Sequence, residues 1–435
     1  MKKGNFYLAV VIFSLTGQIA WVVENMYFNV FVYKMFSASA NDISLMVSLS
    51  SAAAAVTTLL VGALADKKGK RKIFITLGYI IWGLTVMSFA LIRKDFLAPI
   101  VGTAKAASAC VIIVIVMDCV MTFFGSAAND ACFNAWLTDN TDGTNRGKAE
   151  GINSMMPLVA ILVVFGGFMA FDTSKQESWT WIFVITGLIV IIIGIIGFFI
   201  LEDKPIKADD NGNYFKNVIY GFRPSVVKSN PPLYLTLLCY AVFGIAIQIF
   251  MPYLILYYEV SLGLDNYVVI MAPAIIIAAA FTFFYGRVYD KVKFSKSIYP
   301  TIAIMTAGFV ILFFFKQTAL VFIGSMLMMC GYLSGTGIFG AAIRDYTPEN
   351  KTGSFQGLRI LAQVLIPGLV GPTIGAAVLS DAKTVVNGDG TTSFIPDERI
   401  FLTAAIVCVV LIAILVPVTL YIKKSNNKTI EGLSE

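Results

Sequence analysis

Apolar runs of about 18 residues or more recur along the whole 435-residue chain. Wound as a helix, each is long enough to cross ~30 Å of hydrocarbon. In lipid, backbone N–H and C=O groups must be satisfied within the segment, which selects helices over isolated strands. The composition agrees. Hydrophobic residues make up 58% and charged residues 13%, roughly half the charge of a soluble chain, and the mean hydropathy is +0.81. The pattern predicts an all-α membrane protein with twelve spans at about 6–35, 43–65, 73–92, 107–138, 151–171, 179–201, 232–257, 266–285, 298–315, 318–343, 354–379 and 399–422. Met-Lys-Lys at the start imitates a signal peptide. The apolar run behind it is too long for an h-region and lacks a small-residue cleavage site, so it reads as a retained first helix.

Charge tests this layout independently. With the N-terminus inside, 23 of the 32 Lys and Arg residues fall in cytoplasmic segments, 8 fall outside and Arg359 lies within a helix. The excess of inside positive charge places both termini in the cytoplasm of a multi-pass inner-membrane protein. The net charge of +6 is therefore a topology signal and implies no nucleic-acid partner. Six cysteines lie singly in apolar runs, as small buried hydrophobes do, and the chain has no histidine. Proton chemistry would then fall to carboxylates. No nucleotide-binding loop is present, which argues against an ATP-driven pump, and no cofactor or resident metal is implied.

The two halves repeat. At an offset of 224, Tyr33, Gly62, Asp66 and Lys72 fall on Tyr257, Gly286, Asp290 and Lys296. At an offset of 206, Asp139, Thr141, Gly147 and Gly151 fall on Asp345, Thr347, Gly353 and Gly357. Two pseudo-symmetric six-helix bundles follow, 1–201 and 232–435. The hydrophilic linker 202–231 joins them. Within it, Tyr214, Val218, Ile219 and Phe222 share one face of an expected amphipathic surface helix. The stretch 380–398 is polar and is expected to be a flexible outer loop.

After the second span comes Gly62-Ala-Leu-Ala-Asp66-Lys-Lys-Gly69-Lys-Arg71-Lys72, with a partial second copy ending in Asp290. This cluster resembles the signature of the major facilitator superfamily. The resemblance implies the major facilitator fold, with Gly62, Asp66, Gly69, Arg71 and Asp290 latching the cytoplasmic side. The fourth span ends Asn129-Asp130-Ala-Cys-Phe-Asn134-Ala-Trp136-Leu-Thr138-Asp139, answered by Arg344-Asp345-Tyr-Thr347 in the second half. These stretches resemble the glycoside–pentoside–hexuronide:cation symporters, the group that contains melibiose permease. In that group the aspartate at the position of Asp130 serves sugar recognition. Three positions depart from the pattern. Thr138 stands for a proline, Asn153 and Ser154 lie where an arginine is usual, and Ile366-Pro367-Gly368 lies where a lysine is usual.

Read by themselves, several residues could line a wet solute site. Trp21, Glu24 and Phe28 lie on one face of the first span, with Asn25 beside them. A carboxylate at the centre of a membrane helix costs about 2.5–3.5 kcal/mol on insertion scales, which marks Glu24 as a coupling candidate. An interhelix hydrogen bond is the structural alternative. An aromatic face beside carboxylate and amide groups also suits a sugar. Asp118 lies roughly 18 Å before Asp130 along the same helix. Asn134, Asn153, Gln248, Arg359 and Gln363 complete the candidate substrate and cation positions.

The expected function is import of a glycoside coupled to H⁺ or Na⁺, by a monomer in a lipid bilayer. The solute would bind near the midplane between rocking halves. A lipophile exporter and a transporter-like nutrient sensor are the alternatives.

Overall fold

The structure is a computed structural model describing residues 3–68, 70–141, 145–203, 221–264, 266–347, 352–388 and 390–434. Among these, eleven helical stretches are long and apolar enough to cross a membrane. The first six are α1 (Gly4–Phe36), α2 (Ala40–Lys68), α3 (Arg71–Leu91), α4 (Thr103–Asp139), α5 (Arg146–Phe168) and α6 (Gln176–Ile200). They are followed by α7 (Pro231–Ser261), a 47-residue stretch Val268–Phe314, α10 (Thr318–Tyr346), α11 (Gly357–Val378) and α12 (Arg399–Lys424).

The 47-residue stretch is two helices. Its backbone leaves helical geometry at Lys293, where φ is 56°. A straight helix would hold residues 12 apart at about 18 Å, yet the Tyr285 hydroxyl donates to the Ser297 carbonyl over 3.0 Å. The chain therefore reverses there, giving α8 (268–292) and α9 (294–314) and bringing the spans to twelve. Sequence placed the end of the eighth span at 285; the helix runs one to two turns further.

The chain forms two compact units. Unit 1 holds residues up to 214 together with 383–394, and unit 2 holds the remainder. In unit 1, α3 packs closely on α6, because a side chain on either facing glycine would collide. A Cβ on Gly83 would lie 2.5 Å from the Gly187 carbonyl, and one on Gly187 an equal distance from the Gly83 carbonyl. Small residues at such crossings are what drive association where lipid supplies no hydrophobic force. Further along, Phe28, Phe31, Phe89, Trp179 and Phe183 pack ring against ring. In unit 2, α7 and α11 meet in the same way, with Gly371 against the Cβ of Gln248.

The polar stretch 380–398 departs from the expected loop. It folds into a two-stranded antiparallel hairpin, β1 (Thr384–Val386) and β2 (Thr392–Phe394), in register Val385 to Ser393. Although flanked by α11 and α12, the hairpin is packed in unit 1. The Tyr33 hydroxyl donates to the Phe394 carbonyl over 2.5 Å, and the two rings meet edge to face. Ser37 bonds both Thr391 and Asn387. The expected amphipathic helix of the linker falls largely on 204–220, outside the described residues.

Candidate functional site

Two membrane helices of unit 1 are interrupted by π-helical turns at their acidic residues. In α1 the turn covers Val23–Tyr27 and contains Glu24 and Asn25; in α4 it covers Ser126–Phe133 and contains Asn129 and Asp130. A π turn inserts an extra residue and redirects side chains, a device frequent at functional sites. The repeat-related positions around Gln248 and Thr336 lie in regular α-helix. The repeat therefore does not carry the acids of Glu24 and Asp130 into the second half, where Gln248 and Thr336 stand at those positions. Unit 2 has π turns of its own, at Tyr257–Ser261 and at Leu361–Leu365, which carries Gln363.

Glu24 points into unit 1, 7% exposed, where Thr122 Oγ1 donates to its Oε1 over 2.8 Å. Asp118, 1% exposed, is its electrostatic neighbour. Asp118 and Thr122 are four apart on α4, so they share the face that α1 presents with Glu24. Ser50 on α2 lies within hydrogen-bond reach of Asp118. Glu24 Oε2 and Asp118 Oδ1 are buried and receive no hydrogen bond among the described residues. Buried acceptors without donors are costly unless a proton or cation completes them. Two carboxylates so placed can take up one proton or hold one small cation.

Asp130, further along α4, is half-buried and is also an electrostatic neighbour of Glu24. Ser126 Oγ donates to its Oδ2 over 3.0 Å, Asn129 Nδ2 approaches its Oδ1 at 3.3 Å, and the Trp21 side chain donates to it as well. Trp21 lies against Trp82 at 4.9 Å between ring centroids. A Cβ on Gly125 would strike both indoles, at 2.7 and 2.9 Å. Behind Asn129, the Tyr79 hydroxyl lies 2.9 Å from both Asn129 Oδ1 and the Phe13 carbonyl.

At the end of the bundle where α3 begins, Arg71 Nε donates to Asp139 Oδ2 over 3.0 Å. Asp203 Oδ1 accepts the backbone N–H groups of Arg71 and Lys72 at 3.0 and 2.8 Å. Trp136 Nε1 donates to the Glu202 carbonyl. Gly69 and the side chain of Asp66 lie outside the described residues. Gly62 is half-buried on α2 and Asp290 is exposed on α8. Asp290 lines a cavity of about 380 Å³ with Tyr285, Arg287 and Gly337.

The structure therefore gathers Trp21, Glu24, Asp118 and Asp130 where α1 meets α4 in unit 1. Asn25 and Asn134 are exposed, and their amides are bonded to the backbone carbonyls of Trp21 and Asp130. Asn153 accepts from Ser14 and so ties α5 to α1. In unit 2, Arg359 donates to Gln363 over 3.3 Å and is an electrostatic neighbour of Tyr240; Gln248 is a half-buried packing partner of Gly371. Phe28, placed by spacing beside Glu24, instead packs against Phe89 and Phe183, because the π turn at 23–27 rotates it away. Tyr79, Thr122, Ser50 and Asp203 escaped the sequence reading. Ser and Thr carry no signal in apolar runs, and Asp203 acts 131 residues away in sequence. Among the described residues, no group of three or more His, Cys, Asp or Glu is placed to hold a metal ion.

The sequence profile of the Major Facilitator Superfamily matches residues 6–372. The chain belongs to that superfamily. It is a membrane transporter and not an enzyme. No curated protein matches at the level of sequence. Solved transporter structures share its fold, and three of them illustrate the likeness. A mutant of the nucleoside transporter NupG has 14% identity and a TM-score of 0.70, over 95% of this chain and 99% of that one. A bacterial homologue of the human lysosomal transporter Spinster, in an inward-facing and unoccupied conformation, has 16% identity and a TM-score of 0.70, over 96% and 98%. The xylose transporter XylE from E. coli, partially occluded and inward open, has 11% identity and a TM-score of 0.67, over 96% and 99%.

Proposed function

We propose that the protein is a cation-coupled symporter for a glycoside or small oligosaccharide. It would act in the inner membrane, with both termini in the cytoplasm, through alternating access of its two repeated bundles. The observation that carries this reading is the buried pair Glu24 and Asp118, each with a carboxylate oxygen that no donor among the described residues reaches. Two neighbouring carboxylates in a low-dielectric interior repel when both are ionised. Binding one cation relieves that repulsion, so the bundle responds to the ion. Trp21, held against Asp130 beside exposed Asn25 and Asn134, offers the aromatic face and polar groups that a sugar ring requires. XylE and NupG act on xylose and nucleosides, which share a hydroxylated ring, in keeping with this solute class.

Counterflow and gradient-driven uptake of a glycoside panel in proteoliposomes test the proposal. Glu24→Gln is expected to retain counterflow and lose uphill accumulation. Full uphill uptake by that variant removes Glu24 from the coupling role, and preference for lipophiles over glycosides in the wild type overturns the substrate reading.

A further inference from the structure

Tyr79 has one hydroxyl hydrogen and two acceptors at the same distance. The Phe13 carbonyl on α1 and Asn129 Oδ1 on α4 each lie 2.9 Å from its oxygen. Tyr79 is fully buried and Asn129 is 4% exposed, so no solvent compensates an unmatched group there. The other atom of the same amide, Asn129 Nδ2, faces Asp130 Oδ1 at 3.3 Å. The three side chains form a line from the half-buried carboxyl to the α1 backbone.

Two hydrogen-bond patterns satisfy this line. With Asp130 ionised, Asn129 Nδ2 donates to the carboxylate and Tyr79 donates to Asn129 Oδ1. With Asp130 protonated, its O–H donates to Asn129 Oδ1. The amide is then reversed, so that Nδ2 donates to the Tyr79 oxygen and the Tyr79 hydrogen turns to the Phe13 carbonyl. An amide reversal exchanges N for O at nearly constant shape, and its sense is set by the network around it. The Phe13 carbonyl, inside an α-helix, has a second lone pair for Tyr79. Gly17 makes the arrangement possible: a Cβ there would lie 2.6 Å from Asn129 Oδ1 and 2.9 Å from the Tyr79 hydroxyl.

We infer that Asp130, Asn129 and Tyr79 form a proton-operated switch, in which protonation of Asp130 reverses the Asn129 amide and transfers the Tyr79 hydrogen bond from α4 to α1. Asn129 and Tyr79 are its positioning residues. The inference rests on the coupled-transport reading and names H⁺ as the ion sensed at this position. Protonation here exchanges one set of bonds among α1, α3 and α4 for another, the kind of two-state element through which a bound ion biases conformation. Among the described residues, the titratable groups facing Asp130 are Glu24 on α1 and Tyr79 on α3. The acidic residues of α2, Asp42 and Asp66, lie at its two ends.

Infrared difference spectroscopy on the purified full-length protein in lipid vesicles tests the switch without any solute. The protein carries isotope-labelled asparagine and ring-labelled tyrosine, and the pH is lowered in Na⁺-free buffer. The expected result is a new carboxylic-acid band accompanied by shifts of one asparagine C=O band and one tyrosine C–O band. All three are lost in Asp130→Asn, whereas Tyr79→Phe loses the tyrosine shift and keeps the acid band. If Tyr79→Phe does not fold, the labelled-tyrosine shift in the wild type and its loss in Asp130→Asn supply the same readout. An acid band belonging to Asp130 without the asparagine and tyrosine shifts overturns the proposal. So do the same shifts produced by Na⁺ at fixed pH. Coupled bands in a protein that accumulates no solute would refute the symport reading while leaving the switch intact; silent bands in an active symporter would do the reverse.

Discussion

Gly17, Gly125 and Glu24 act through what surrounds them. Gly17 and Gly125 each leave a gap that Asn129 with Tyr79, or Trp21 with Trp82, fills to contact. A methyl group at Gly17 would force Asn129 and Tyr79 apart, and overpacking of this kind costs about 1–3 kcal/mol. Gly17→Ala is therefore expected to lower the thermal midpoint of the detergent-solubilised protein. Gly151→Ala, with nothing among the described residues within 4 Å of the added carbon, is expected to leave it unchanged. Glu24 was legible from sequence alone, because a carboxylate in an apolar run is rare for an energetic reason. Its partner Thr122 was not, since a threonine hydroxyl can also bond its own helix and leaves no trace in hydropathy.

At the scale of elements, the start of α3 is held by two interactions from distant parts of the chain. Arg71 pairs with Asp139, their side chains 8% and 27% exposed. Removing one member of a fully buried pair costs on the order of 3–5 kcal/mol; the partial exposure of Asp139 reduces the expectation for Asp139→Asn to about 2 kcal/mol. Asp203 caps the first two backbone N–H groups of α3 from the far end of the bundle segment. Asp203→Ala is expected to cost about 1 kcal/mol, as loss of a helix cap does, read by the same thermal assay. The hairpin base has an electrostatic anchor of its own in unit 2. Arg399 bonds Asp381 and Asp397, each over 2.7 Å, and holds the Asp381 carboxyl below its usual range. A carboxylate whose folded-state affinity for protons is lowered contributes stability above its unfolded value, and that contribution is lost as the pH falls. The difference in amide exchange at the hairpin base between wild type and Asp381→Asn should therefore be present at neutral pH. It should begin to decline below about pH 4, near the ordinary carboxylate value, and be lost only as the pH falls through the lowered folded-state value.

For the whole molecule, the hairpin placement is the sharpest test of the fold. Residues 383–394 belong in sequence to the second half and in space to unit 1. The Ser37 and Thr391 hydroxyl oxygens lie 2.8 Å apart, so sulfurs placed at these positions come within reach of one another. The double variant Ser37→Cys/Thr391→Cys, with a protease site introduced in 204–220, is expected to run as one species after cleavage and to separate on reduction. Separation without reductant would show that the hairpin is not held on unit 1.

Twelve spans, two repeats and the acidic residues of α1 and α4 follow from the sequence alone, because lipid imposes the same demand on every segment. A run must be apolar, helical and about 20 residues long, and any ionisable group inside it stands out. Two local backbone states decided what those residues do. The π turns at 23–27 and 126–133 turned Glu24 toward Asp118 and Asp130 toward Trp21, and moved Phe28 into the aromatic core. The left-handed residue Lys293 divided one long helix into two spans. Neither has a composition or a period to read. Each depends on packing between segments far apart in the chain, as do Tyr79, which meets Asn129 across 50 residues, and the hairpin, which meets Tyr33 across 361. Hydropathy and charge are properties of a segment, whereas the partners of a buried polar atom exist only once the helices have packed.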